Sequence, residues 1–132
     1  MSVFTLAEKP VAEQIAAIQR GLPGSALRQI VAAIGLSQKA IVAALGLSPR
    51  TVALRMSRGQ AFSAAESERF LRLVRVRRLA REVFSSDEAV ADWLQAGDPA
   101  LGGRSPLEML ATDLGAAQVE HLLRAMIQGV PL

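Results

Sequence analysis

The tripeptide Gly-Leu-Ser occurs twice, at 35–37 and 46–48, eleven residues apart. An apolar run with helical spacing precedes each copy: Leu27, Ile30, Val31 and Ile34 before the first, Ile41 and Leu45 before the second. A glycine just past a helix end takes up positive φ without steric cost and stops the helix. A serine two residues later stands where an N-cap belongs, its hydroxyl able to accept from the next helix's unpaired N–H groups. Pro49, directly after the second serine, suits the first position of a helix. The two copies therefore predict one turn device used twice. It separates three short helices, at about 26–34, 38–45 and 49–57, and pins Leu36 and Leu47 under the turns.

The rest of the chain reads as helix too, and no segment alternates as a strand would. Pro10 opens a helix with Val11, Ile15 and Ile18 on one face, which Gly21-Leu22-Pro23-Gly24 ends. Ser25 is placed to cap the next helix. Ser63 and Glu66 have the spacing of a capping box and start the longest helix, 64–84, with Leu73, Val76, Ala80, Val83 and Phe84 along one side. Leu71 and Val74 project elsewhere, and we read them as a dimerisation surface; an intramolecular cradle is the alternative. Ser85-Ser86-Asp87 caps a helix through Trp93 and Leu94. Ser105-Pro106 starts a short helix carrying Leu107 and Leu110, and Val119, Leu122, Leu123 and Met126 line the last one.

Composition narrows the function classes. Apolar residues make up 51% of the 132-residue chain and charged residues 20%, which is incompatible with a disordered segment. With no cysteine, disulfides, zinc knuckles and thiolate nucleophiles are excluded. No apolar run reaches the roughly 18 residues needed to span a bilayer, and the N-terminus lacks the basic-then-apolar order of a signal peptide, so a soluble cytoplasmic protein is expected. The charge is split. Residues 1–84 carry 13 of the 15 basic and 5 of the 12 acidic side chains, net +8, whereas 85–132 are net −5. Such a division suggests two surfaces for two partners.

The helices at 38–45 and 49–57 have the form of a DNA-binding helix-turn-helix. Ile41, Leu45, Leu47 and Val52 hold the pair at its crossing, and Gly46 permits the sharp turn. The second helix, from Ser48, offers Arg50, Thr51, Leu54, Arg55 and Arg58 to base edges and phosphates, and Gln38 stands at the first helix's N-terminus, where a phosphate is favoured. Gln38-x-x-Ile41 through Leu45-Gly46-Leu47-Ser48-x-x-Thr51-Val52 resembles the helix-turn-helix of the Xre/Cro-repressor class. Val42 departs from that pattern, in which a small alanine is usual.

The second half supplies a further resemblance. Leu101-Gly102-Gly103-Arg104-Ser105-Pro106-Leu107-Glu108-Met109-Leu110, followed by Gly115, Val119, Leu122-Leu123 and Gly129-Val130, is similar to the C-terminal region of Xre/MbcA/ParS-type antitoxins. The two resemblances come in the family's order and together cover about residues 25–132. They imply an antitoxin of a type II toxin–antitoxin system that obstructs the active-site cleft of a RES-domain, NAD-depleting toxin and represses its own operon. Gly102, Gly103, Arg104, Ser105, Leu107, Gln128, Gly129 and Val130 are the implied toxin-binding residues. The tail differs from a typical member in having no acid before Gly129, and Val130-Pro131-Leu132 forms an apolar end suited to plugging a cleft.

A catalytic reading finds little support. His121 is the single histidine, with no thiol near it, and no Ser/His/Asp or paired-carboxylate arrangement stands out. The Gly-Gly loop lacks the Lys-Ser/Thr of a phosphate cradle, and Pro106 removes an N–H that a phosphate would want. The expectation is an all-α protein without cofactor or metal. It comprises an N-terminal helical extension (1–24), a helix-turn-helix region with a long connecting helix (25–84) and a toxin-binding domain (85–132). Operator DNA, a RES toxin and a second copy of the chain are its expected partners. The alternative is a stand-alone dimeric Xre-type transcriptional regulator.

Overall fold

A computed structural model describes residues 1–129, and every regular element among them is helical. In chain order these are α1 (Val3–Leu6), α2 (Val11–Arg20), α3 (Gly24–Ile34), α4 (Gln38–Ala44), α5 (Pro49–Ser57), α6 (Ala64–Ala80), α7 (Asp87–Gln95), a 3-10 turn (Pro99–Leu101), α8 (Pro106–Met109) and α9 (Asp113–Gln128). No single helix among these residues is long and apolar enough to cross a membrane.

The twin turn device forms as its chemistry dictates. Ser37 Oγ accepts from Ala40 N at 3.1 Å, and Ser48 Oγ accepts from Thr51 N at 3.2 Å. Leu36 and Leu47 are buried between the helices they separate. The stops themselves differ. Gly35 closes α3 with one bond, its N–H donating to Val31 O. At the end of α4, Gly46 at φ +70° lets its own N–H reach Ala43 O while Leu47 N reaches Val42 O, the paired bonds of a Schellman motif. Val42, the departure from the Xre pattern, is itself buried and supplies that second carbonyl.

Helix α6 is the axis of the molecule and packs against α1, α2, α3 and α9. Its capping box is complete: Glu66 N donates to Ser63 Oγ at 3.1 Å and Ser63 N to Glu66 Oε1 at 2.8 Å. Phe70, Leu71, Leu73, Val74 and Val76 are all buried, so more than one side of the helix is covered. This corrects the assignment of Leu71 and Val74 to a dimer surface. They are 0% and 1% exposed within one chain and have no area left for a second. The helix also stops at Ala80, four residues short of the expected end. A turn follows, and Phe84 instead stacks on Trp93 of α7 with ring centroids 5.4 Å apart.

The first 24 residues form part of the same core. Val3, Leu6, Ala7, Ala17, Ile18 and Leu22 are buried. Val3 N donates to Gln29 Oε1 of α3 at 2.8 Å, and Leu22 N to the fully buried Ser67 Oγ of α6 at 2.8 Å. In α2, however, Ala17 and Ile18 face inward, whereas Val11 and Ile15 are 69% and 48% exposed. The expected apolar face is thus rotated, because α6 covers its neighbouring side.

Candidate functional site

Helix α5 is anchored to the body through Val52, which is 1% exposed, and its outer surface mixes polar residues with Ala53 and Leu54. Arg50 and Arg58 are exposed, Thr51 is half-buried, and Leu54 is 38% exposed. Ser48 serves as the cap, so its hydroxyl oxygen is directed at the helix's own N–H of Thr51. Gln38 is exposed at the first position of α4, next to Lys39, which is also exposed and which sequence reasoning passed over.

Arg55 behaves differently from its neighbours. Its Nε lies 2.6 Å from Glu66 Oε1 of α6, with side-chain exposures of 28% and 14%. The angle is poor for a hydrogen bond, and the contact is best described as a tight ion pair. It works as a strut that fixes α5 against the start of α6. Arg28 of α3 lines the same open cleft of about 300 Å³ as Arg55 and Met56. It extends the basic surface beyond α5, and nothing in the motif's spacing pointed to it.

Two arginines of α6 join this region to the C-terminal helices. Arg69 Nη1 donates to Leu45 O at 3.3 Å and Gly46 O at 3.1 Å, satisfying carbonyls at the end of α4. Arg72, one turn on and 6% exposed, donates from Nη1 to Leu110 O at 2.9 Å and from Nη2 to Asp113 Oδ1. It therefore holds the elbow between α8 and α9. Of the six arginines between 69 and 81 only Arg72 is buried, and nothing in their spacing singles it out.

In the C-terminal region, Asp98 organises the glycine loop. Asp98 Oδ1 accepts from Ala100 N at 2.8 Å, its carbonyl accepts from Gly103 N at 2.9 Å, and its N–H donates to Arg104 O at 3.1 Å. Gly102 and Gly103 sit at φ +68° and +83°, with open space where a Cβ would stand. They shape the loop by conformation and do not permit a close helix crossing. The close approach is at Gly115, where a Cβ would lie 1.9 Å from Met109 O. Among the implied toxin-binding residues, Gly102, Gly103, Arg104, Gln128 and Gly129 are exposed. Ser105 is occupied by the capping box of α8 with Glu108. Leu107, 4% exposed, is core and cannot meet a partner in this conformation. Val130 and the apolar tail lie outside the described residues. No group of His, Asp and Glu able to hold a metal ion occurs among the described residues.

A short helix on a capped turn, tied through Arg69 and the buried Arg72 to a second helical region, has the form of a helix-turn-helix protein with an appended helical domain. Residues 13–75 match the antitoxin Xre-like helix-turn-helix domain, and residues 79–129 match the antitoxin Xre/MbcA/ParS C-terminal toxin-binding domain. The chain is 30% identical over 126 residues to a Prs ADP-ribosylating antitoxin of Sphingobium, covering 89% of this chain and 79% of that protein. It is also similar to proteins named antitoxin Xre, at 31% identity in Pseudomonas putida and 39% in Yersinia enterocolitica. Those matches cover 62% and 52% of this chain, and 52% and 47% of the relatives. The chain belongs to the Xre/MbcA/ParS-type antitoxins.

Proposed function

We propose that this antitoxin neutralises a RES-domain toxin that consumes NAD⁺ by binding across its active-site cleft, and that it represses its own operon through α5. On this reading the chain performs no catalysis and acts in the cytoplasm. The observation that carries the proposal is the joining of two unlike surfaces by one core. Arg50 and Arg58 are exposed on α5, whereas residues 79–129 form a domain of the toxin-binding family. The Sphingobium relative's name refers to ADP-ribosylation, a reaction that draws ADP-ribose from NAD⁺, and this is compatible with a RES target. A helix as short as α5 spans few base pairs, so repression calls for two copies on a two-fold operator. Their contact would have to lie outside the buried Leu71 and Val74.

Co-expression tests the proposal. The toxin encoded by the adjoining reading frame should stop growth and deplete cellular NAD⁺ when expressed alone. Both should recover when this chain is present. Persistent toxicity and NAD⁺ loss in its presence would exclude the reading.

A further inference from the structure

We infer that the uncharged outer face of α9 is the seat of the toxin, with Leu114 at its N-terminal end. This rests on the proposed function, since it names where on the toxin-binding domain the partner docks. At 100° per residue, Leu114, Ala117, Gln118, His121, Ala125 and Gln128 fall within one arc of about 100°. No member of that arc is charged, while Asp113, Glu120 and Arg124 lie together on the adjoining arc. Leu114 is 83% exposed, in a protein that buries most of its leucines. It occupies the second position of α9, where an acidic residue is the favoured choice, so nothing in helix stability calls for leucine there. Ala117, Gln118 and His121 continue from it into an apolar groove of about 480 Å³, whose other wall is Ala100 and Leu101 of the 3-10 turn.

Three observations select the occupant. The face lies wholly within residues 79–129, the match to the toxin-binding domain of the family. Gly102 and Gly103 follow Leu101 of the groove wall in the chain, are exposed, and have open space where a Cβ would stand, so a partner can approach their backbone. The charge pattern, neutral centre with a charged border, is that of a protein–protein contact in which the centre dries and the rim stays wet. Nucleic acid would require cations where this face has none. The matching toxin surface is an apolar side chain that fills the groove beside Leu114, surrounded by polar groups that meet Glu120 and Arg124.

The test uses the full-length antitoxin and the toxin from the adjoining reading frame, with affinity measured by calorimetry. Leu114→Gln should weaken binding at least tenfold, and Leu114→Gln with Ala117→Gln about a hundredfold. Both positions are exposed, so the melting temperature and promoter binding should stay at the wild-type values; this separates docking from folding. Unchanged affinity of both variants, with the wild type still binding, would overturn the inference and leave the proposed function standing. Failure of the wild type to bind would remove both. A change in the antitoxin's own oligomeric state on Leu114→Gln, seen by light scattering with toxin affinity intact, would assign the face to a second copy and also overturn the inference.

Discussion

The α4–α5 pair and the α8–α9 pair are built alike and presented differently. Each contains a helix opened by Ser-Pro, with Ser48 and Ser105 as side-chain caps, and each turns sharply into or out of a short helix. The exposed residues then diverge. Helix α5 shows Arg50 and Arg58 around Leu54, whereas α9 shows Leu114, Ala117 and Gln118. The caps and buried leucines set the geometry of both pairs, but they carry no information about the partner. The partner is written in what remains exposed after the fold has taken its share.

The strongest way to break the comparison is at Gly115. The α8–α9 elbow is closed by the approach of this residue to Met109, and its N–H is capped by Thr112 Oγ1 at 3.0 Å. Gly115→Ala forces a backbone carbonyl aside, and a close-packed interior resists that shift. The expected loss is about 3 kcal/mol or more, a fall of roughly 10 °C in a thermal melt. The corresponding turn glycine in the other pair, Gly46, has only Ala111 Cβ and an Arg69 terminus within 4 Å, so its constraint is φ and not space. If Gly115→Ala melts like the wild type, the elbow is not held as tightly as described.

Arg72 sets the next effect in size. Replacing it with Met keeps most of the volume but leaves Leu110 O without its donor, a loss of roughly 2 kcal/mol in urea unfolding. Asp113→Asn should cost under about 1 kcal/mol, because the carboxylate side chain is 86% exposed and its attraction is screened. The asymmetry sharpens the comparison by placing the buried carbonyl, and not the ion pair, at the joint between the two regions. Equal losses from the two substitutions would contradict it.

How much of this was legible in the sequence follows from the same division. The Gly-Leu-Ser copies were readable because helix caps are local, governed by residues two or three apart. The basic helix and the family likeness of the second half were readable for the same reason. Leu71, Val74 and Leu107 were misplaced because burial on a helix with four neighbours depends on tertiary partners, which spacing does not reveal. The strut role of Arg55 and the burial of Arg72 are not visible in the sequence, because their partners, Glu66 and Leu110, are 11 and 38 residues away. Val11 and Ile15 had the correct period but the wrong phase, since the side that α6 covers is chosen by the whole bundle.

The smallest effect separates the arginines of α5 from one another. Arg50 and Arg58 have no ion-pair partner among the described residues, while Arg55 is held to Glu66. Arg50→Ala and Arg58→Ala should each weaken binding to the chain's own promoter fragment by about 1–3 kcal/mol at fixed salt. A loss shared by all sequences, with a shallower salt dependence, would identify a phosphate contact; a loss confined to the operator would identify a base contact. Arg55→Ala should reduce promoter affinity less than either, yet lower the melting temperature by a few degrees, because the strut between α5 and α6 goes with it. The test is a gel-shift series at several salt concentrations beside a thermal melt of each variant. If Arg55→Ala abolished binding with its melt unchanged, the guanidinium would be reading DNA through its terminal nitrogens, and the ion pair with Glu66 would be what aims it.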